Sequence, residues 1–401
     1  MKILYCHDNV YIKDSDNCFY SEGQFAYSYW STYTKICDEL IVVGRGRDVE
    51  TGEDVNALNR SDGDGVSIKT LPNINSPLGL LKNKSVVEEE VIALVDSVDA
   101  IIVRTMSEIG WIAFKQARRT GKPIAHEIAG CPWDNTWNHG SLLGKAYAPI
   151  RAKRMRYLAQ NADYVLYVSK EFLPNRYPAK GETAIASNVR IDKPLPSVLV
   201  RRMERIKSSH TTDLPIEIGL IGHLDHKLKG IDIAIEALGH LNAQSDRKFK
   251  LKILGPGNAA RYRHVTHAHD MQNNVQFDGV VESGDAVLKW LDHVDLYIQP
   301  SFHEGVPRAT IEAMSRGCPA FGSNAGGIPE LLPDTYIHKA GDAKQLAAQI
   351  LKSISDDTLE IQAQDNFTKS MDYTQDILQP IRDEFWSSFA AFVKEEKSSP
   401  S

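Results

Sequence analysis

The chain has 401 residues, 42% of them hydrophobic and 24% charged, and its 46 basic against 52 acidic side chains leave a net charge of −6. At about 150 residues per domain this length holds two or three domains with a large core, which excludes a lone peptide-binding module, and the acidic balance excludes a dedicated nucleic-acid binder. No stretch reaches the roughly 18 apolar residues of a spanning helix, Met1–Cys6 is too short for a signal-peptide core, and the odd set of cysteines without a CxxC pair suits reduced, structural thiols; a cytoplasmic protein is expected.

In chain order, short runs rich in Val, Ile and Leu alternate with longer stretches of helical period, the pattern of strand-helix units building a parallel sheet. The first half predicts strands over Lys2–Cys6, Glu39–Val43, Val66–Leu71, Ala100–Arg104, Pro123–Glu127, Tyr164–Val168 and Thr183–Ala186. Arg190–Pro215, rich in Pro, Ser and basic residues, lacks a clean period and reads as a connection between two halves. The second half predicts strands over Glu217–Ile221, Lys250–Leu254, Val275–Phe277, Leu296–Gln299, Pro319–Gly322 and Tyr336–His338. Ile231, Ala234, Ile235, Leu238 and Leu241 recur at helical spacing on one apolar face, and Ile377, Ile381, Phe385, Phe389 and Phe392 do so in a long amphipathic helix over Thr374–Glu395, with a frayed tail after Lys394. The expected class is α/β, with two doubly wound domains over residues 1–200 and 201–373 and a closing helix and tail over 374–401.

The chemistry gathers after the strand Leu296–Gln299, in the run Pro300-Ser301-Phe302-His303-Glu304-Gly305-Val306-Pro307-Arg308-Ala309-Thr310-Ile311-Glu312. Two carboxylates eight positions apart, Glu304 and Glu312, flank a helix N-terminus whose backbone N–H groups lack intrahelical partners. At a rise of about 1.5 Å per residue they stand on the order of 10 Å apart. A sugar nucleotide suits that layout: ribose hydroxyls at one carboxylate, sugar hydroxyls at the other, the diphosphate on the positive end of the helix dipole. Pro307 fits the first helical turn, where its missing N–H costs nothing. On their own the two glutamates are more often solvated helix charges, and the surroundings reverse that reading. The next strand end carries a second Gly-rich turn, Gly322-Ser323-Asn324-Ala325-Gly326-Gly327-Ile328-Pro329-Glu330, and ligands of open α/β sheets bind at such strand ends.

The Glu-x7-Glu run and the GGIPELL turn resemble glycosyltransferase family 4, the retaining sugar-nucleotide enzymes of GT-B fold. With HEIAGCPWD and RYP upstream, the run is similar to the branch found in bacterial capsule and exopolysaccharide clusters. The resemblance implies two Rossmann-like domains facing a central cleft, the donor held mainly by the C-terminal one and the acceptor by the N-terminal one, and a terminal helix crossing back onto the first domain. It implies that Glu304 contacts the donor sugar as a positioning residue, that Glu312 binds the ribose hydroxyls, and that the amides of Gly305, Val306, Pro307 and Arg308 surround the diphosphate. Pro307, having no N–H, can only shape that loop.

A second phosphate element would be Gly222-His223-Leu224-Asp225-His226-Lys227-Leu228-Lys229-Gly230. Lys229 matches the family's lysine, whereas His223 stands where relatives commonly have arginine, and an imidazole stabilises leaving-group charge less well than a guanidinium. Lys227, Arg308 or a protonated His223 would have to supply the charge, or the protein is a catalytically impaired GT-B partner in assembly. His126, at the end of the strand Pro123–Glu127, is by itself as readily a structural histidine; the resemblance implies a catalytic position beside the donor sugar. Gly23 occupies the first strand-helix connection, where relatives bring glycine to the diphosphate, and Arg104 and Asn188 point to the cleft if the topology holds.

Other signals are weaker. Leu254-Gly255-Pro256-Gly257-Asn258-Ala259-Ala260 imitates a dinucleotide-binding turn, but stands mid-chain with no acidic residue ending a strand about twenty positions on. His264, His267 and His269 lack metal-ligand spacing, and no DxD-type carboxylate pair stands at a suitable turn, so metal-independent transfer is expected. The expected donor is a nucleotide diphosphate hexose, UDP-linked ahead of GDP-linked, with no resident cofactor. The expected acceptor is a glycan or lipid-linked oligosaccharide. Arg151, Lys153, Arg154 and Arg156 then form either a solvated helix face or a peripheral contact with an anionic membrane.

Overall fold

A computed structural model describes residues 1–22, 25–50, 54–55, 58–138 and 141–398. In the first half the strands are β1 (Lys2–Lys13), β2 (Phe19–Ser21), β3 (Glu39–Asp48), β4 (Asn59–Arg60), β5 (Val66–Leu71), β6 (Ala100–Arg104), β7 (Ile124–Ile128), β8 (Tyr164–Tyr167) and β9 (Glu182–Ile185). Seven of them run parallel in the order β5-β3-β1-β6-β7-β8-β9. β2 pairs antiparallel with the far end of β1, and β4 with β2. The second half contributes β10 (Ile216–Ile221), β11 (Phe249–Leu254), β12 (Val275–Gly279), β13 (Leu296–Gln299), β14 (Ala320–Ser323) and β15 (Ile337–His338). They form one parallel sheet in the order β12-β11-β10-β13-β14-β15.

In each sheet the order reverses beside the first strand, between β1 and β6 and between β10 and β13. Successive connections there leave in opposite directions and open a crevice at the carboxyl ends of the strands. Each predicted strand is present. β1 and β3 run on past their predicted ends, with a register shift between Cys6 and Val10. The polar run His7-Asp8-Asn9 breaks the apolar pattern at that shift and hides the continuation.

Two expectations are corrected. Arg190–Pro215 is not irregular throughout, because Pro196–Thr211 is a helix of the second domain. Its Arg202 donates to the carbonyls of Leu291, Val294 and Arg316 at 2.8, 2.5 and 3.1 Å, and Ile206 joins the core of the second sheet. The expected boundary at 200/201 falls inside this helix. The closing helix, Gln375–Ser398, turns a different face inward than its isoleucines suggested: Leu378, Phe385, Trp386, Phe389 and Val393 are buried, and Ile377 is 49% exposed.

This helix does cross back. Tyr164 of β8 meets Phe385, Phe389 and Phe392 with ring centroids 5.4–5.7 Å apart, and Trp386 meets Tyr33 edge-on at 5.1 Å. The two passages between the domains lie side by side, joined by an Ile191–Thr374 bridge and a bond from the Gln375 N–H to the Ile191 carbonyl at 2.9 Å. Among the described residues no helix is long and apolar enough to cross a membrane. All five cysteines are free, with Cys6, Cys131 and Cys318 buried.

Candidate active site

The crevices of the two sheets face each other across a cleft of about 450 Å³. Arg104, Ala129, Val168 and Asn188 line it from the N-terminal domain; Gly222, Lys229, Gln299, the loop Glu304–Ala309 and Glu312 line it from the C-terminal one. β13 ends at Gln299, and the loop after it turns Glu304 inward, 8% exposed. Glu304 Oε1 accepts from Lys229 Nζ at 2.7 Å, Ser301 Oγ at 2.7 Å and Gln299 Nε2 at 3.2 Å. Gln299 is itself fixed by Tyr297, whose hydroxyl donates to Gln299 Oε1 at 2.7 Å. With Oε1 thus engaged, Oε2 has no hydrogen-bond partner among the described residues and is the oxygen left for a ligand.

Glycine is required twice in this loop system. A Cβ on Gly305 would stand 2.3 Å from the Ala129 carbonyl oxygen across the cleft, and one on Gly326 (φ +59°) would stand 2.0 Å from the Glu304 carbonyl oxygen. The Gly327 N–H donates to the Gly305 carbonyl at 2.7 Å, so the second Gly-rich turn is bolted to the first.

The helix Arg308–Ser315 has Pro307 at its N-cap, one position before the expected first turn, and no side chain caps it. Its leading N–H groups therefore remain available to an anion. Glu312 lies half-buried one turn further along, and its carboxylate accepts no hydrogen bond from the described residues. Burial raises its pKa, and the Arg308 guanidinium only partly opposes this. A carboxylate desolvated without a partner costs stability.

The structure thus brings together Lys229, Glu304, Gly305, Val306, Pro307, Arg308 and Glu312, with Arg104 and Asn188 opposite. Arg104 is buried, bonded to Glu127 Oε2 at 2.8 Å and Tyr29 Oη at 2.5 Å. Although burial opposes it, Arg104 and the Tyr5 and Tyr33 hydroxyls hold the Glu127 carboxyl below the usual range.

Two of the expected residues lie elsewhere. His223 is not on the cleft wall; its Nδ1 accepts from the Asp225 N–H at 3.2 Å and its ring lies 4.5 Å from that of His226. His126 is fully buried in β7 and absent from the cleft wall, and its ring nitrogens have no partner among the described residues. Strand alternation explains it, since Glu127 faces the Arg104 network and His126 the opposite side of the sheet. Burial lowers the His126 pKa to about 3, so its imidazole is neutral. Gly23 lies outside the described residues.

The remaining signals resolve structurally. A Cβ on Gly255 (φ +151°) would stand 2.1 Å from the Gly222 carbonyl oxygen, so the GxGxxA turn packs against the Gly222 turn; contrary to expectation an acidic residue, Asp278, does stand at the end of the strand about twenty positions on, but its carboxylate accepts from Gln276 Nε2 at 2.6 Å and Trp290 Nε1 at 2.7 Å. Among the described residues no three His, Cys, Asp or Glu side chains converge on a metal position. Arg151 donates to Thr136 Oγ1 and the Met106 carbonyl at 2.9 and 2.6 Å. Arg154 pairs with Glu108 at 3.0 Å, and Arg156 bonds to the Arg176 carbonyl at 3.1 Å. Of the four basic residues expected to form a membrane face, these three are committed to the domain's own packing; Lys153 is exposed.

Sequence reading missed a second hollow of about 260 Å³ in the N-terminal domain, lined by His7, Thr105, Ser107, Asn135, Arg151 and, from the other domain, His303. Thr105 holds φ +50° on its wall, a strained value for a β-branched residue. His303 Nδ1 is buried without a partner among the described residues, and burial lowers its pKa. Its place just before Glu304 was the available signal.

Two doubly wound domains with an uncapped helix N-terminus and a paired Lys–Glu in the cleft between them are the architecture of a glycosyltransferase of GT-B fold. Residues 215–356 match the family described as Glycosyl transferases group 1. Over 356 residues, 88% of this chain and 86% of the relative, the chain is 32% identical to Protein CapJ of Staphylococcus aureus. Over 166 residues, 38% of this chain and 40% of the relative, it is 32% identical to the putative colanic acid biosynthesis glycosyltransferase WcaL of Salmonella typhimurium. Sucrose-phosphate synthase from Thermosynechococcus elongatus shares the fold at a TM-score of 0.65 and 15% identity, covering 98% of this chain and 100% of that one. Anabaena HepE in complex with UDP does so at 0.60 and 17%, covering both chains fully. The chain belongs to the Glycosyl transferases group 1 family and is an enzyme of that family.

Proposed function

We propose that the protein transfers a hexose, with retention of configuration and without a metal ion, from a nucleotide diphosphate sugar to a glycan or lipid-linked acceptor in the cytoplasmic synthesis of a bacterial surface polysaccharide. The carrying observation is Glu312, a half-buried carboxylate without a partner among the described residues, one turn from an uncapped helix N-terminus. It is placed to accept the two ribose hydroxyls while the diphosphate lies on the N–H groups at Arg308 and Ala309. Lys229 is then shared between Glu304 and the phosphates, and Glu304 Oε2 accepts sugar hydroxyls. A carboxylate that already receives three donors on one oxygen is a holder of lysine and sugar, not a general base. The departing phosphate takes the acceptor proton as the acceptor enters from the N-terminal hollow. UDP is the favoured nucleotide, a reading supported by the UDP-bound fold relatives.

The lipid-linked form of the acceptor has its own support. Leu142, Leu143 and Ile150 are exposed on the helix Leu142–Asn161, beside exposed Lys145 and Lys153. An apolar strip edged by lysines suits an anionic bilayer better than the arginines do.

A thermal-shift titration with UDP, GDP, ADP and their sugars, with and without EDTA, tests the proposal. Ligands that bind the native state raise its melting temperature by mass action. The expected result is a rise with one nucleotide family, unchanged by EDTA and abolished by Glu312→Ala. No rise with any of them would overturn the reading.

A further inference from the structure

Glu330 closes the second Gly-rich turn, but its carboxylate leaves its own domain. Oε2 accepts from the backbone N–H of Lys170 at 2.6 Å, and Oε1 accepts from those of Glu171 at 3.2 Å and Phe172 at 2.7 Å. Two of the donors belong to the loop after β8 and the third is the first residue of the helix Phe172–Arg176, all in the N-terminal domain. One carboxylate receiving three backbone N–H groups makes charge-assisted bonds with a demanding geometry. Two further contacts across the seam are weaker: Asn138 Nδ2 donates to the Phe302 carbonyl at 2.8 Å with no charge on either group, and Lys170 Nζ stands 3.9 Å from Asp372.

The same turn is fixed to the reaction loop, through the Gly327 N–H on the Gly305 carbonyl at 2.7 Å. Gly305 in turn abuts Ala129 and Val168, which wall the cleft from the other domain. A continuous path runs from residues 170–172 through Glu330 and the Gly326-Gly327 turn to Gly305 and Glu304.

We propose that Glu330 is a positioning residue for the transfer. By clamping the backbone N–H groups of Lys170, Glu171 and Phe172, it holds the two domains in the register that puts Ala129 and Val168 over Glu304 and Gly305. It touches no substrate. In an opened arrangement both the carboxylate and the three N–H groups are re-solvated by water, so the clamp is reversible. The claim of an effect on transfer rests on the proposed function above; the claim of holding the domains together does not.

The test compares wild type with Glu330→Gln, and Phe172→Pro with Phe172→Ala. Phe172 is the first residue of the helix Phe172–Arg176, so Pro removes its N–H; because Glu171 stands at ψ −51°, a value proline disfavours in the residue before it, the double variant shows how much of the damage passes through Glu330. Small-angle scattering reads the ligand-free proteins, calorimetry reads UDP, GDP and ADP binding, and product formation reads turnover. Glu330→Gln and Phe172→Pro are expected to show a larger radius of gyration, a nucleotide affinity within about twofold of wild type, and a turnover lower by about tenfold or more. Phe172→Ala stays close to wild type. Combining the two damaging changes adds little to the worse one, because they break the same contact. Unchanged scattering and turnover in Glu330→Gln, or equal damage from Ala and Pro at 172, would overturn the clamp. A wild type that binds none of the three nucleotides would instead overturn the donor reading, and scattering alone would then decide the clamp.

Discussion

Glu304 and Glu312 carry the same group, and the protein treats them oppositely: one is held by a lysine, a serine and a glutamine, the other is left bare. The bare one sets a trade between stability and binding. Because the folded-state pKa of Glu312 is raised, the folded protein binds that proton more tightly than the unfolded chain. Its contribution to stability is full below the ordinary carboxylate value and is lost as pH rises through the raised one. Glu312→Gln should therefore raise the melting temperature at neutral pH by about 2 °C while weakening nucleotide binding about tenfold. Scanning calorimetry and isothermal titration would check the two halves. His126 runs the other way. Burial lowers its pKa from 6.5 to about 3, so the stability it contributes is present above pH 6.5 and lost as pH falls toward 3. His126→Leu should flatten the fall of melting temperature between pH 6.5 and 4, and leave turnover at neutral pH within about twofold of wild type. Loss of turnover with an unchanged melting profile would restore His126 to the reaction.

At the scale of elements, the fold rests on where apolar faces meet. Phe389, fully buried between Tyr164 and Trp386, anchors the crossing helix to the first sheet. Phe389→Ala should cost about 3–5 kcal/mol, read as a shift of the denaturation midpoint. The strands were legible because parallel strands buried on both faces read as continuous Val, Ile and Leu runs. The Pro196–Thr211 helix was not, because Leu199, Met203 and Ile206 are interleaved with arginines whose charges mask the period, and one of them, Arg202, is itself buried on carbonyls. The site divided the same way. Glu304 and Glu312 share one short motif and Lys229 lies in another, and the structure brings all three to the cleft. The placement of His223 and His126 depended on which way a turn or a strand aims its side chain, and one residue of register reverses that. The role of Glu330 could not be assigned from sequence, since its partners are backbone atoms of the other domain, and His303 lines a hollow walled mostly by that domain.

For the whole molecule, the consequential distance is the seam between the domains. Gly305 has no room for a methyl group against the Ala129 carbonyl. Gly305→Ala can be accommodated only by parting the domains or displacing the loop, so turnover should fall about tenfold to a hundredfold, with little change in the melting temperature of the free protein. Steady-state kinetics beside calorimetry would show it, and full activity would mean that the seam is irrelevant to transfer.

The crossing helix has a consequence for how the chain is made. Residues Gln375–Ser398 complete the N-terminal sheet's aromatic face, but emerge from the ribosome only after the entire second domain. The half synthesised first is therefore the half completed last. During synthesis Tyr33, Tyr164 and their neighbours wait uncovered, and it is this nascent intermediate, more than the finished enzyme, that chaperones and aggregation would compete for.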